Sequence, residues 1–367
     1  MVCPHGERGG VARVAVALAR GLPEHDLEVV TALLARGPLE DELAAAKRPG
    51  IVLAKRGRGR ARAPLRTVRA LTQLAREREV AVVLTHGTVG QLYGAPAALR
   101  ARLPSIWWYH GSGRRPVRWH AASSLPAAAV VSVNDAMVEA QRQRTPRRRV
   151  LKITPGVPVD EIAACRGAGR HVRESRGWKE LPVVGMVGRL ERWKGHLTFL
   201  HAAAQVAERN PHVRFAVVGA AVPGRRGRAH ATALRRTADE LGLGERIHFA
   251  GDQQQPYAWL DAFDVAVHAS MHEPFGMVVL EAMALGTPLI AADVRGPADI
   301  VEHGVSGLLV PPDDSHGLAR EIVRLLEDRA LGARLAQAAR ERARQFSEHA
   351  MVARFAALVD EAAPRPS

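Results

Sequence analysis

The sequence predicts an α/β protein built from two doubly wound domains, and three observations carry that prediction. Short apolar, β-branched runs alternate with longer Ala- and Leu-rich stretches, the pattern left by the strands and helices of βαβ units. The alternation runs through the first half, lapses in a Gly-, Arg- and Glu-rich stretch at residues 158–181, and starts again at residue 182. A chain of 367 residues also exceeds what one ordinary core holds, so two domains are expected.

Taken in order, strands are expected at residues 27–34, 51–54, 80–85, 106–109, 129–133 and 150–153, with helices at 10–21, 65–76 and 136–143. In the second half strands are expected at 182–188, 213–218, 247–250, 265–269 and 288–292, and residues 314–345 read as mostly helical. The boundaries expected are 1–165 for the first domain, which the family resemblance given below makes the acceptor side, and 166–345 for the second, which it makes the nucleotide-sugar-binding domain. Residues 346–367 form a last helix returning to the first domain. Ligands in open parallel sheets collect at the carboxyl ends of strands, so motifs just after strands matter most.

Composition narrows the function classes. No apolar run approaches the ~20 residues of a membrane-spanning helix, and residues 1–10 lack the apolar core of a signal peptide. A cytoplasmic protein is expected, with peripheral contact at the inner membrane face left open. Cys3 and Cys165 are the only cysteines, too few for a disulfide framework or a structural zinc site. The net charge of +15 divides unevenly, +13 over residues 1–165 against +2 over the rest. A basic first half, with patches at residues 55–69 and 142–149, suits anionic lipid head groups, a lipid-linked or anionic acceptor or nucleic acid, and equally a solvated arginine-rich surface.

The densest motif is Glu273-Pro274-Phe275-Gly276-Met277-Val278-Val279-Leu280-Glu281, followed by Gly286-Thr287-Pro288. It follows the strand expected at 265–269. Pro274 and Gly276 shape a turn, and a helix starting there turns its free N–H groups and positive dipole end toward an anion. Glu273 and Glu281 can each accept two hydroxyl donors from a sugar or ribose. Taken singly, Glu273 also reads as a helix cap and Glu281 as a dipole partner. A second cluster is Gly188-Arg189 after the strand at 182–188, with Lys194 before a helix near Gly195. Two cations at a strand end can neutralise a leaving diphosphate, although Arg189 also suits a surface ion pair with Glu191.

Glu273 and Glu281, separated by seven residues in the context EPFGMVVLEAMALGTP, resemble the signature of the retaining GT-B glycosyltransferases of family GT4. Residues 187–195, 296–310 and Asp313-Asp314 extend the resemblance, which covers nearly the whole chain and is loosest before residue 129. It implies that Arg189 and Lys194 stabilise the departing diphosphate and that His110, in Trp107-Trp108-Tyr109-His110-Gly111, hydrogen-bonds the transferred sugar. Gly9 and Gly10 correspond to the family's glycine loop near the donor phosphate, Asp252 borders the nucleotide, and His86 lines the acceptor side. Two departures stand out. Only residues 1–4 precede the glycine loop, where family members have a full strand. Arg295 and Asp299 replace a frequent glycine and glutamate.

The implied reaction displaces a nucleoside diphosphate from the anomeric carbon by an acceptor hydroxyl, with retention and with domain closure over the donor. The substrate is a nucleotide-diphosphate sugar and no cofactor is expected. The chain contains no Asp-x-Asp metal clamp, so basic side chains are expected to replace a metal. A nicotinamide-dependent oxidoreductase needs GxGxxG after an early strand, which is missing. A non-catalytic sugar- or nucleic-acid-binding protein on the same fold is the alternative, but no RNP or Walker element supports nucleic acid as a partner.

Overall fold

The computed structural model describes residues 1–4, 9–53, 64–111 and 116–363. The chain forms two compact units, the first comprising Met1–Gly156 with Glu348–Ser367 and the second Val157–Ser347.

The first unit holds a seven-stranded sheet of β1 (Val2–Cys3), β2 (Ala32–Leu33), β3 (Ile51–Val52), β4 (Val83–His86), β5 (Ser105–Tyr109), β6 (Ala129–Ser132) and β7 (Val150–Lys152), in the order β3-β2-β1-β4-β5-β6-β7. Every pairing is parallel. The apolar strands β4 to β6 are buried throughout, as a sheet covered on both faces requires. The segment before the glycine loop supplies β1, short yet central in the sheet. Its shortness explains why β2 spans two residues rather than the eight expected, since each pairs with the other only at Val2↔Ala32 and Cys3↔Leu33. The helix Gly10–Gly21 has the expected ends. The expected strand end at residue 54, and the basic residues 55–62, lie outside the described residues.

The C-terminal helix Glu348–Ala362 belongs to this first unit. Phe355 is fully buried, its ring 4.2 Å from that of Trp108 in β5, and Gly156 N–H contacts the Met351 sulfur at 3.2 Å.

The second unit carries a parallel six-stranded sheet of β8 (Val183–Val187), β9 (Arg214–Val218), β10 (Ile247–Gly251), β11 (Val265–His268), β12 (Leu289–Ala292) and β13 (Leu308–Val310), in the order β10-β9-β8-β11-β12-β13. Its core joins Phe199, Leu200, Phe215 and Val217 to Val265, Ile290, Leu318 and Ile322. The expected helical tract at 314–345 is two helices, Ser315–Glu327 and Arg329–Ala343. Asp314 and Asp328 each accept an N–H at 2.8 Å, from Gly317 and Leu331, and so start a new helix.

The second unit begins at Val157 rather than at residue 166. The helix Val159–Ala163 packs on Met277–Leu285. Asp261 accepts N–H groups from Gly167 and Gly169 at 2.8 Å each, and Arg173 reaches Asp264 at 2.6 Å, which ties the helix Gly169–Arg176 to the same unit. At the other boundary Val157 N–H donates to Phe346 O at 3.0 Å, and Val157 and Ser347 form a parallel bridge.

Candidate functional site

Most residues singled out in the second half stand just past the carboxyl ends of its strands, where parallel sheets bind ligands. Gly188 and Arg189 follow β8, Asp252 follows β10, and the stretch from Glu273 to Gly276 follows β11. Gly219 N–H donates to Gly251 O at 2.8 Å, which brings the ends of β9 and β10 together beside the exposed Asp252.

Glu273 is the centre of this cluster. Its Oε2 accepts from Lys194 Nζ at 2.5 Å, lies 3.2 Å from His268 Nε2 and 3.4 Å from Ser270 Oγ. His268 and Ser270 are buried, and the Glu273 side chain is 10% exposed. Burial alone raises a carboxyl pKa, but here the hydrogen bond from His268 and the charge of Lys194 outweigh it and lower the value from 4.5 to about 2. Glu273 is therefore a carboxylate fixed in direction.

Lys194 is positioned from below as well. It ends the short turn Arg192–Lys194, and its ammonium lies 4.2 Å from the centre of the Trp193 ring, a cation–π contact. The Trp193 ring in turn stacks on His272 at 5.0 Å, and Trp193 O accepts Met271 N–H at 2.8 Å. The turn closes on Gly195 at φ 75°, where a Cβ would stand 1.8 Å from Ala269 O. No other residue type fits there, so the glycine lets the Lys194 loop lie directly against the end of β11.

Arg189 forms the ion pair its sequence context allows, 2.8 Å to Glu191, whose other oxygen accepts from Trp193 Nε1. Its side chain is 44% exposed. Both cations expected to meet a diphosphate are thus held by carboxylates.

Gly276, at φ 105°, is the N-cap of the helix Met277–Leu285. Phe275 is buried and Met277 and Val278 form the first, half-buried residues of the helix. Glu281 is fully buried in the second turn. Among the described residues no group of three or more His, Cys, Asp and Glu side chains is placed to hold a metal ion.

In the first unit, His86 ends β4 and His110 follows β5. The strands' register brings His86 beside Trp108, and His86 Nδ1 lies 3.0 Å from His110 Nε2. Trp108 stacks on His110 at 4.8 Å. Burial lowers the His110 pKa to about 3, while burial and the neighbouring His110 hold that of His86 well below 6.5. His86, expected to line an acceptor, is enclosed, whereas His110 is half-exposed. Gly9 caps the helix Gly10–Gly21, accepting Arg13 N–H at 3.1 Å.

Sequence reasoning did not select His268, Ser270 or Trp193. The signal for His268 and Ser270 is position, since both sit at the end of a buried strand within five residues of Glu273. Trp193 is adjacent to Lys194, but nothing in a sequence shows that its ring lies under the ammonium.

Two Rossmann-like units, each built on a parallel sheet, match the GT-B architecture. The chain belongs to the group 1 glycosyltransferases: residues 170–342 match the family model for glycosyl transferases group 1, and residues 8–161 the model for Glycosyltransferase Family 4. It is 32% identical over 207 residues to a D-inositol 3-phosphate glycosyltransferase of Corynebacterium urealyticum, covering 55% of this chain and 48% of that protein. It is 33% identical over 203 residues to the lipopolysaccharide core biosynthesis glycosyltransferase LpsE of Rhizobium meliloti, covering 54% and 56%. The chain thus spans about half the length of the curated relatives it matches. Among solved structures, Anabaena HepE in complex with UDP and glucose aligns over 98% of both chains at TM-score 0.87 and 26% identity. Sucrose-phosphate synthase from Thermosynechococcus elongatus shares the fold at TM-score 0.83, with 24% identity over 98% of this chain and 97% of that one.

Proposed function

We propose that the chain transfers a sugar from a nucleotide-diphosphate donor to an acceptor hydroxyl, with retention and without a metal ion. The observation that carries this reading is the Glu273 carboxylate, held by Lys194 and beside His268 and Ser270 at the mouth of a helix N-terminus. HepE, a relative over the full chain, was crystallised with UDP and with UDP-glucose, which favours a nucleotide-sugar donor here.

In this reading Glu273 accepts from hydroxyls of the transferred sugar and Glu281 from the ribose. Backbone N–H groups of Phe275, Gly276, Met277 and Val278 meet the diphosphate, Pro274 fixes the turn that aims them, and Gly188 and Asp252 border the nucleotide. Arg189 and Lys194 exchange Glu191 and Glu273 for the diphosphate and stabilise the charge that grows on it as the glycosidic bond breaks. The family resemblance gives His110 the sugar's hydroxyls and Gly9 and Gly10 the phosphate.

The acceptor is open, and its source in a membrane is supported by charge. A recess of about 230 Å³ is lined by three arginines, Arg69, Arg76 and Arg100, with Thr72, Gln73 and one carboxylate, Glu77, and Leu65 and Leu99 nearby in sequence are 74% and 65% exposed. No helix among the described residues is long and apolar enough to cross a membrane, and the contact proposed is peripheral, at the cytoplasmic face. Co-sedimentation with anionic but not neutral vesicles is the expected result, and equal pelleting with both removes this part of the proposal.

A thermal-shift screen against UDP-, GDP-, ADP- and TDP-sugars tests the donor. At a hundred times its Kd the right donor stabilises by about 2.7 kcal/mol through mass action. Lys194→Ala and Glu273→Ala should fold and lose transfer. Wild-type turnover by both would overturn the proposal.

A further inference from the structure

The two histidines of the first unit form one hydrogen-bonded pair, and the pair leaves a proton-counting problem with one good solution. His86 Nδ1 and His110 Nε2 are 3.0 Å apart, with their rings 8° from parallel. His86 is completely buried, and its remaining nitrogen, Nε2, has no hydrogen-bond partner among the described residues. Burial holds both imidazoles neutral, as their depressed pKa values indicate. Each ring therefore carries a single proton, and one N–H lies in the bond between them.

Two arrangements satisfy that count. If His110 Nε2–H donates, the proton of His86 must sit on Nε2, a buried N–H with no acceptor among the described residues. If His86 Nδ1–H donates, Nε2 is a bare lone pair. A buried N–H without an acceptor is rarer and more costly than an unused acceptor. The second arrangement places the proton of His110 on Nδ1, the ring nitrogen that does not face His86.

We propose that His86 is a positioning residue that holds His110 as its Nδ1–H tautomer, so that His110 offers a hydrogen-bond donor to an oxygen of the substrate. The partner of His110 is then an oxygen lone pair of a hydroxyl or ring ether, and His110 Nδ1 takes no proton from the attacking hydroxyl. His86 touches no substrate and acts only through the ring in front of it. The importance of this tautomer to transfer rests on the reading of His110 given above, whereas the tautomer itself does not.

Long-range 1H–15N spectra of the full chain labelled on histidine, with the two rings assigned from His86→Asn and His110→Gln, read the tautomers directly. Protonated Nδ1 on both rings is the expected result, and protonated Nε2 on either overturns the proposal. Kinetics supply the second reading. His86→Leu should lower kcat roughly tenfold to a hundredfold, the size known for partners that orient metal-ligating histidines, with the donor KM changed less than about twofold. His86→Asn, whose amide N–H overlays Nδ1, should recover most of the loss. Equal losses in the two variants overturn the positioning role, even if the leucine variant alone folds poorly. If the tautomers are as expected but no donor is turned over by the wild type, the transfer reading fails and the tautomer assignment stands.

Discussion

Replacing Glu273 by glutamine removes one charge while keeping the shape of the side chain, and the structure fixes both the size and the pH dependence of the effect. Its pKa is lowered from 4.5 to about 2 by His268 and Lys194 against the opposing pull of burial. At about 1.4 kcal/mol per tenfold, the folded protein favours the carboxylate by about 3 kcal/mol. With the side chain 10% exposed, solvent screening takes little from this figure. A depressed carboxyl stabilises fully above its unfolded value near 4.5, and the contribution fades as pH falls from there toward 2. Glu273→Gln should therefore be less stable than wild type by up to about 3 kcal/mol at pH 7, with the gap closing below pH 4.5. Urea unfolding followed by the fluorescence of Trp178, Trp193 and Trp259, all in the second unit, measures both proteins at pH 7, 5, 4 and 3. A gap that is constant from pH 7 to pH 3 would refute the assignment of the carboxylate's partners.

Three further outcomes follow from the same geometry. Arg189→Ala breaks an ion pair whose arginine is 44% exposed, so its thermal stability should change by less than about 1 kcal/mol, while kcat falls by roughly a hundredfold or more if Arg189 meets the diphosphate. Gly195→Ala introduces a Cβ 1.8 Å from Ala269 O at φ 75°, and a loss of roughly 2 kcal/mol or more is expected in thermal unfolding; unchanged stability would show that the loop relaxes freely. Phe355→Ala empties a fully buried site stacked on Trp108, which should cost about 3–5 kcal/mol in the first unit's unfolding transition and leave donor-induced protection of the second unit intact.

How much of this was legible in the sequence depended on the range of the interactions involved. The helix Gly10–Gly21 has the ends its apolar spacing and flanking glycines indicate. The strands at the cores of both sheets are also where the β-branched runs place them. What periodicity could not supply is pairing. Residues 27–31 read as strand, yet β2 is limited to the two residues that find partners in β1. The three residues of β13 are too few to show a period, although β12 pairs with all of them.

At the site, Glu273, Lys194 and Arg189 stood out because their motifs follow strands and resemble the family's signature. The directions of their side chains did not. That Lys194 spends its charge on Glu273, and Arg189 on Glu191, is a matter of tertiary proximity. His86 shows the same limit from the other side, since a histidine ending a strand reads alike whether it faces a ligand or lies enclosed behind another ring.

The paired ends of the second unit, with Val157 bridged to Ser347, have an architectural consequence. Chain enters and leaves that unit at one spot, while residues on both sides of it fold into a single body. The second unit is in effect an insertion within the first, so recombination between relatives at a single crossover near residue 157 would leave residues 348–363 facing a foreign β5. An exchange that respects the fold needs two crossovers, one on each side of the bridge between Val157 and Ser347.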